Sequence, residues 1–382
     1  MRVLVVGAGP GGAAAAVELA RGGARVLVAE RSAWPRAKTC GDGISPPGVV
    51  EARTLGVVLD DRLRLAEGEI STPGGVTFRG GWRPMTPWGT IVARADFDAR
   101  LVRSAIAAGA AFEPKTAVTA LERHGDGPRA TFRFNGASRG ERFDAVVLAE
   151  GATGGLAAKL GCGAHASRLV ALRGYARSAR PLAPAFGLYF ERPLCPGYGW
   201  IFPIDERTAN VGLLVDERFV HARHGDLRGA FAAWLATSPT VARVLGGASL
   251  SDLEALSGGV IPSGRRHRAG DGVYLIGDAA GVADPFSAEG IYQAMASGRD
   301  AARALLAHGP GRRAERTYRS ALRPFDRNAR EARRLRLGFG LVIDAMARRA
   351  LVRPALAHHL SANGFFMKDS LASFLLGIAR TW

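Results

Sequence analysis

Gly7, Gly9 and Gly12 form a GxGxxG arrangement inside the run Gly7-Ala8-Gly9-Pro10-Gly11-Gly12, and Glu30 closes the apolar run that comes next. Each residue type has a chemical use at its place. Gly7 permits a tight turn, Gly9 lets a pyrophosphate approach bare backbone, and Gly12 lets a helix pack closely on a strand. Glu30 can accept hydrogen bonds from ribose hydroxyls. That favours an unphosphorylated adenosine ribose, hence FAD or NAD over NADP.

Such residues work only if the chain around them folds as strand, loop, helix and strand. Residues 2–6 are a short apolar run rich in β-branched side chains, 13–20 are helix formers, and 25–29 are a second apolar run ending at the acid. The helix N-terminus then offers free N–H groups and a positive dipole end to phosphates.

A second constellation decides between the two dinucleotides. The apolar run 273–276 ends in Gly277-Asp278-Ala279-Ala280-Gly281. Asp284-Pro285-Phe286-Ser287-Ala288-Glu289-Gly290-Ile291 and a helical pattern over 292–306 follow. An Asp at a strand end can bind ribitol hydroxyls, and the turn and helix start can face a flavin edge. A nicotinamide enzyme has no evident use for it, so the expected cofactor is FAD.

Taken together, the glycine loop with its Glu and the distal GDAAG–DP–GI segment resemble the FAD-dependent oxidoreductases of the p-hydroxybenzoate hydroxylase-like superfamily. Three further segments resemble geranylgeranyl reductases: Cys40-Gly41-Asp42-Gly43-Ile44, Arg94-Ala95-Asp96-Phe97-Asp98 and Tyr198-Gly199-Trp200-Ile201-Phe202-Pro203. The resemblance covers about residues 1–306. It implies that Arg94 contacts FAD, that Asp278 holds the ribitol, and that Pro285, Gly290 and Ile291 line the flavin ring. Pro10, Arg31, Lys38, Gly151 and Gly281 complete the expected cofactor set. The chain departs from the pattern at Glu150, where an Asp is usual, at Ile204, where a Lys often follows the aromatic motif, and in its tail.

The resemblance leaves the reaction open. A flavin passes a hydride to a carbon–carbon double bond, or reacts with oxygen to hydroxylate, epoxidise or halogenate. Tyr198, Trp200 and Phe202 alternate along one strand and so share a face. With Tyr189 and Phe286 they are the expected substrate wall, suited to an isoprenoid or polyketide, or else they fill core. Cys40, Tyr198 and Trp200 are the catalytic candidates. Cys40 is a proton donor or redox partner beside the flavin, or a small packed residue with no visible basic partner. Halogenation is disfavoured, because Tyr198 and Phe202 depart from WxWxIP and residues 39–114 contain no lysine. The leading expectation is a biosynthetic reductase of C=C bonds in an isoprenoid-like substrate; the alternative is a flavin monooxygenase. The absence of a second GxGxxG leaves NAD(P)H as a transient donor, or an external reductant.

The fold class expected is α/β. A discontinuous Rossmann-like FAD-binding domain takes 1–60, 93–165 and 262–306. An antiparallel-sheet substrate domain takes 61–92 and 166–261, with Gly74-Gly75 and Gly80-Gly81 as turns. A basic helical region takes 307–382. Composition agrees with two or three globular units: 382 residues, 47% hydrophobic, 22% charged. Three scattered cysteines suggest a reducing compartment and no metal site. With no signal peptide and no spanning segment, the expected location is cytoplasmic, with peripheral membrane contact through the C-terminal region as the alternative left open. The chain carries +17, and residues 307–382 hold 15 basic against 5 acidic side chains, a net +10. This is either a solvated helical face or a surface for an anionic partner. Leu335, Phe339, Val342, Ile343 and Met346 make an apolar stripe there, expected to cap the cavity rather than lie on a membrane. A rival class, a nucleic-acid or membrane adaptor on a vestigial flavin fold, rests only on this tail, and no nucleic-acid-binding motif supports it.

Overall fold

The computed structural model describes residues 1–59, 64–65, 67–81, 88–223, 226–264 and 269–349. Its first layer is a six-stranded sheet in the order Ala269–Gly270, Val273–Leu275, Ala145–Leu148, Arg2–Val6, Arg25–Ala29, Ala111–Glu113. Every pairing is parallel except the Ala269–Gly270 edge. The strands read VLVV, VLVA and AVVL because both faces are covered, and Val3, Leu4, Val5, Val146 and Val147 are fully buried.

The helix over Pro10–Arg21 starts earlier than the expected 13–20, because Pro10 pre-sets the first helical position. It crosses the helix Ile291–His308 at backbone distance. A Cβ on Gly298 would lie 2.2 Å from the Gly11 carbonyl oxygen, and one on Gly11 would lie 2.9 Å from that of Ala294. A three-stranded sheet over Ala117–Glu122, Arg129–Phe134 and Ala137–Arg142 joins this half of the molecule, an element the sequence reading missed.

The second layer is a seven-stranded sheet in the order Glu254–Ser263, Ser167–Arg177, Thr208–Asp216, Tyr198–Pro203, Ala185–Tyr189, Glu67–Ser71, Thr77–Gly81. It is not wholly antiparallel. Ala185–Tyr189 runs parallel to Glu67–Ser71, since the two strands arrive from distant parts of the chain rather than through a hairpin. Gly74 and Gly75 lie in the expected turn, but Gly80 and Gly81 are strand residues paired with Gly68 and Glu67. Asp205 closes the Tyr198–Asp216 hairpin by accepting the Arg207 and Thr208 amides, both at 2.7 Å.

Helices over Leu227–Thr237 and Pro239–Leu245, read from sequence as part of a sheet region, cover one face of this sheet. Gly199 makes room for them: a Cβ there would meet the Trp234 ring at 2.2 Å. The opposite face turns toward the first layer. The tail is helical as expected, over Arg312–Ala321 and Arg323–Ala347. The side chains of its apolar stripe, and everything from residue 350 on, lie outside the described residues.

Candidate functional site

A cavity of about 860 Å³ runs between the two layers. Gly7, Gly9, Pro10, Gly12, Glu30, Arg31, Lys38, Arg94, Gly151, Asp278, Gly290 and Ile291 line it, as do Cys40, Tyr198, Trp200 and Phe202. Four expected residues do not line it. Gly281 is the left-handed end of the short helix Gly277–Ala280, at φ 66°. Pro285 is off the surface. Phe286 is buried against Phe190, with ring centres 6.0 Å apart. Tyr189 falls on the far side of the sheet because strand residues alternate, and its hydroxyl donates to Glu69 at 3.0 Å.

One end of the cavity is the glycine loop. Gly7 sits at φ +101°, and a Cβ on Gly12 would lie 1.9 Å from the Gly7 carbonyl oxygen, so neither position tolerates a side chain. A Cβ on Gly9 would meet only the Arg36 guanidinium, at 3.4 Å. Glu30 is buried; its carboxylate accepts the Ala8 and Ser32 amides, each at 3.0 Å. Arg36 reaches across the loop toward Glu30 at 3.5 Å and Asp98 at 3.4 Å. Glu150, the departure from the usual Asp, accepts the Leu156 and Ala157 amides at 2.8 Å and so caps the next short helix.

In the middle, Lys38 and Asp278 meet at 3.2 Å although 240 positions separate them. Arg94 and Asp98, one helical turn apart, form a buried bidentate pair with both contacts at 2.8 Å. The carboxylate holds the Arg94 guanidinium firmly in its charged form, against the opposing effect of burial. Cys40 lies within electrostatic reach of the same guanidinium, a basic neighbour that the sequence did not reveal.

The far end is apolar. Tyr198, Trp200 and Phe202 share one sheet face with Phe186 and Leu188. Trp200 stands 6.3 Å from Tyr198 and 6.2 Å from Phe202, centre to centre. The Cys40–Gly43 segment lies flat against this wall: Cβ atoms on Gly41 and Gly43 would meet the Phe202 ring at 3.3 and 3.4 Å. Asp42, at φ 60°, accepts from the Tyr175 hydroxyl at 2.7 Å, Asn210 at 2.9 Å and the Arg94 amide at 3.3 Å. Asn210 also takes the Trp200 indole N–H at 2.9 Å. Burial raises the Asp42 carboxyl, and its three donors oppose that rise.

The loop 284–290 closes the cavity where the two halves meet. Glu289 lines it and takes a hydrogen bond from Ser45, and burial pushes its carboxyl up to about 8. Sequence reasoning quoted Glu289 only as part of a segment. The available signal is a second acid five positions after Asp284, placed between Ala288 and Gly290. Arg36 had none, since its role depends on a fold that brings residue 36 over residue 9. Asn210 reads in the sequence only as the start of a strand, although an amide followed by the apolar run 211–215 needs hydrogen-bond partners once buried.

Comparison with known proteins gives three kinds of likeness. A family model described as an FAD binding domain matches residues 1–173. A menaquinone reductase of Mycobacterium tuberculosis (strain CDC 1551 / Oshkosh) is 34% identical over 318 residues, 79% of this chain and 76% of that one. A digeranylgeranylglycerophospholipid reductase of Methanosphaerula palustris is 29% identical over 321 residues, 80% and 76% of the two chains. Among solved structures, a geranylgeranyl bacteriochlorophyll reductase-like protein of Thermoplasma acidophilum superposes with a TM-score of 0.81 at 22% identity. It covers 100% of this chain and 96% of its own.

Proposed function

Because this chain belongs to the geranylgeranyl reductase family of FAD-dependent oxidoreductases, we propose that it reduces a C=C bond in the isoprenoid chain of a hydrophobic lipid. The observation that carries the reading is the junction of a dinucleotide trough with an aromatic chamber in one cavity. Relatives named for menaquinone and for a digeranylgeranyl lipid support the substrate class.

The residues present fit FAD. The glycine loop leaves bare backbone at Gly9, where a Cβ would meet only the Arg36 guanidinium at 3.4 Å, and Glu30 follows the neighbouring strand with its carboxylate on the Ala8 amide. Gly7, Gly9, Pro10 and Gly12 would take the pyrophosphate, with Arg36 supplying positive charge above them. Glu30 and Arg31 would hold the adenosine end, and Lys38, Gly151 and Asp278 the ribitol. Arg94, Gly290 and Ile291 would border the ring. When bound and reduced, FAD supplies a hydride. Tyr198, Trp200 and Phe202 exclude water and orient the chain to be reduced. A reduced nicotinamide, or another external reductant, recharges the enzyme.

We propose that the chain divides into a cofactor unit (1–60, 93–165, 262–306) and a substrate unit (61–92, 166–261); the separation of the six-stranded and seven-stranded sheets supports this reading. No described helix is long and apolar enough to cross a membrane. A lipid substrate, together with the net +10 of residues 307–382, favours transient contact with an anionic membrane surface.

The test is anaerobic. Enzyme reduced in the absence of oxygen and mixed with a polyprenyl lipid should regain its oxidised-flavin colour, while the lipid gains two hydrogens by mass. A lipid left unchanged without oxygen, and carrying oxygen after reaction in air, would move the assignment to a monooxygenase.

A further inference from the structure

Alkene reduction needs a proton as well as a hydride, and most polar groups around the cavity are already engaged. The Tyr198 hydroxyl donates to the Ser287 carbonyl. Asp42 is saturated by three donors, Asp278 holds Lys38, and Glu30 holds two amides. Glu289 is different. It faces the cavity beside Gly290 and Ser287, across from Ser45, where the trough opens onto the aromatic wall. Its oxygen Oε1 takes the Ser45 hydroxyl, and among the described residues no ion pair reaches its carboxyl.

The loop that carries Glu289 is pinned. Asp284 accepts the Phe286 and Ser287 amides at 2.8 and 2.7 Å and the Ser287 hydroxyl at 3.1 Å. The Asp284 amide in turn donates to the Glu289 carbonyl at 2.9 Å. A fixed backbone and a hydroxyl partner hold the carboxyl in one place, as a general acid requires.

We infer that Glu289 is the proton donor of the reduction; the inference rests on the reductase reading above. As the hydride electron pair arrives at one alkene carbon, the π pair takes the Glu289 proton at the other. The O–H bond breaks, two C–H bonds form, and the carboxylate left behind is reprotonated from solvent. Burial and the neighbouring Asp284 raise this carboxyl to about 8, with the Ser45 hydrogen bond opposing. The other charged or titratable groups around it are Asp278, whose Oδ1 is 3.5 Å from where a Gly290 Cβ would stand, Lys38 on that aspartate, Tyr292, and the Glu51–Arg299 pair. None is bonded to Glu289. The carboxyl is therefore neutral and holds its proton at neutral pH.

The experiment compares wild type with Glu289→Gln and Glu289→Asp, each loaded with FAD and reduced anaerobically. Flavin binding and reduction should be unchanged in both, while reoxidation by a polyprenyl lipid slows by about 100-fold or more in Glu289→Gln. Glu289→Asp should recover part of the rate. The wild-type rate should fall as pH rises through about 8, and that limb should vanish in Glu289→Gln. Independently of turnover, infrared difference spectra of the unreacted protein should show a protonated carboxyl band that titrates in the same range and is missing in Glu289→Gln. Full-rate reduction by Glu289→Gln, or a band that ionises in the ordinary carboxylate range, overturns the inference. A wild type inert toward polyprenyl lipids overturns the reductase reading instead, and the infrared titration then decides alone whether Glu289 keeps its proton.

Discussion

Glu289 also bears on stability. In the fold burial pushes its carboxyl up to about 8, whereas in the unfolded chain it returns to the usual carboxylate range. Between those values the folded protein binds a proton that the unfolded chain has released, so stability falls as pH rises through the window. Asp42, also raised by burial, acts in the same direction. Glu289→Gln removes one share of this loss. Its melting temperature should pull ahead of the wild type between about pH 5 and about pH 8 and stay a constant interval ahead above that. A difference that ignores pH in circular-dichroism melts would show that the carboxyl is not desolvated. Cys40 yields a second lesson at this scale. From the sequence it had no partner, because Arg94 lies 54 positions away and meets it only through the fold.

Among elements, the loop–helix unit at the N-terminus separates binding from folding. Gly12 lies against the Gly7 carbonyl at 1.9 Å from its would-be Cβ, whereas Gly9 has only the movable Arg36 side chain nearby. Gly12→Ala should therefore unfold or severely destabilise the chain. Gly9→Val should fold and melt cooperatively yet bind FAD weakly, because the added carbons stand where a pyrophosphate approaches. Equilibrium flavin titration beside thermal melts distinguishes the two, and a Gly12→Ala protein as stable as wild type would refute the packing argument. The Arg94–Asp98 pair makes a helix-scale point: the RADFD segment reads as a motif because i,i+4 spacing puts its cation and acid on one face. Removing Asp98 would leave a buried guanidinium uncompensated, at a cost of about 3 to 5 kcal/mol.

For the molecule as a whole, the C-terminal helix Arg323–Ala347 is fastened to the substrate sheet. Asp344 accepts the Thr72 hydroxyl at 2.6 Å and the Gly74 amide at 2.9 Å, and these bonds lower its carboxyl below the usual range. A depressed carboxyl stabilises above its unfolded pKa and loses that contribution as pH falls. Asp344→Ala should free this helix from the hairpin turn, so that limited proteolysis cuts beyond residue 323 sooner while the flavin stays bound. Equal protection in both proteins would show that other contacts dock the helix.

The cofactor end was legible without a structure, because phosphate and ribose recognition is local: glycines, a helix start and an acid within one strand–helix–strand unit, and an aspartate at the end of one later strand. Aromatic alternation along 198–202 was legible for the same reason, since a strand's period places those rings on one face. Which side of the sheet Tyr189 joins, which backbone Arg36 overhangs, and what partners Cys40 and Glu289 meet were decided only in three dimensions. They depend on pairings across tens to hundreds of positions, and on a loop that sets one carboxyl where the two layers meet.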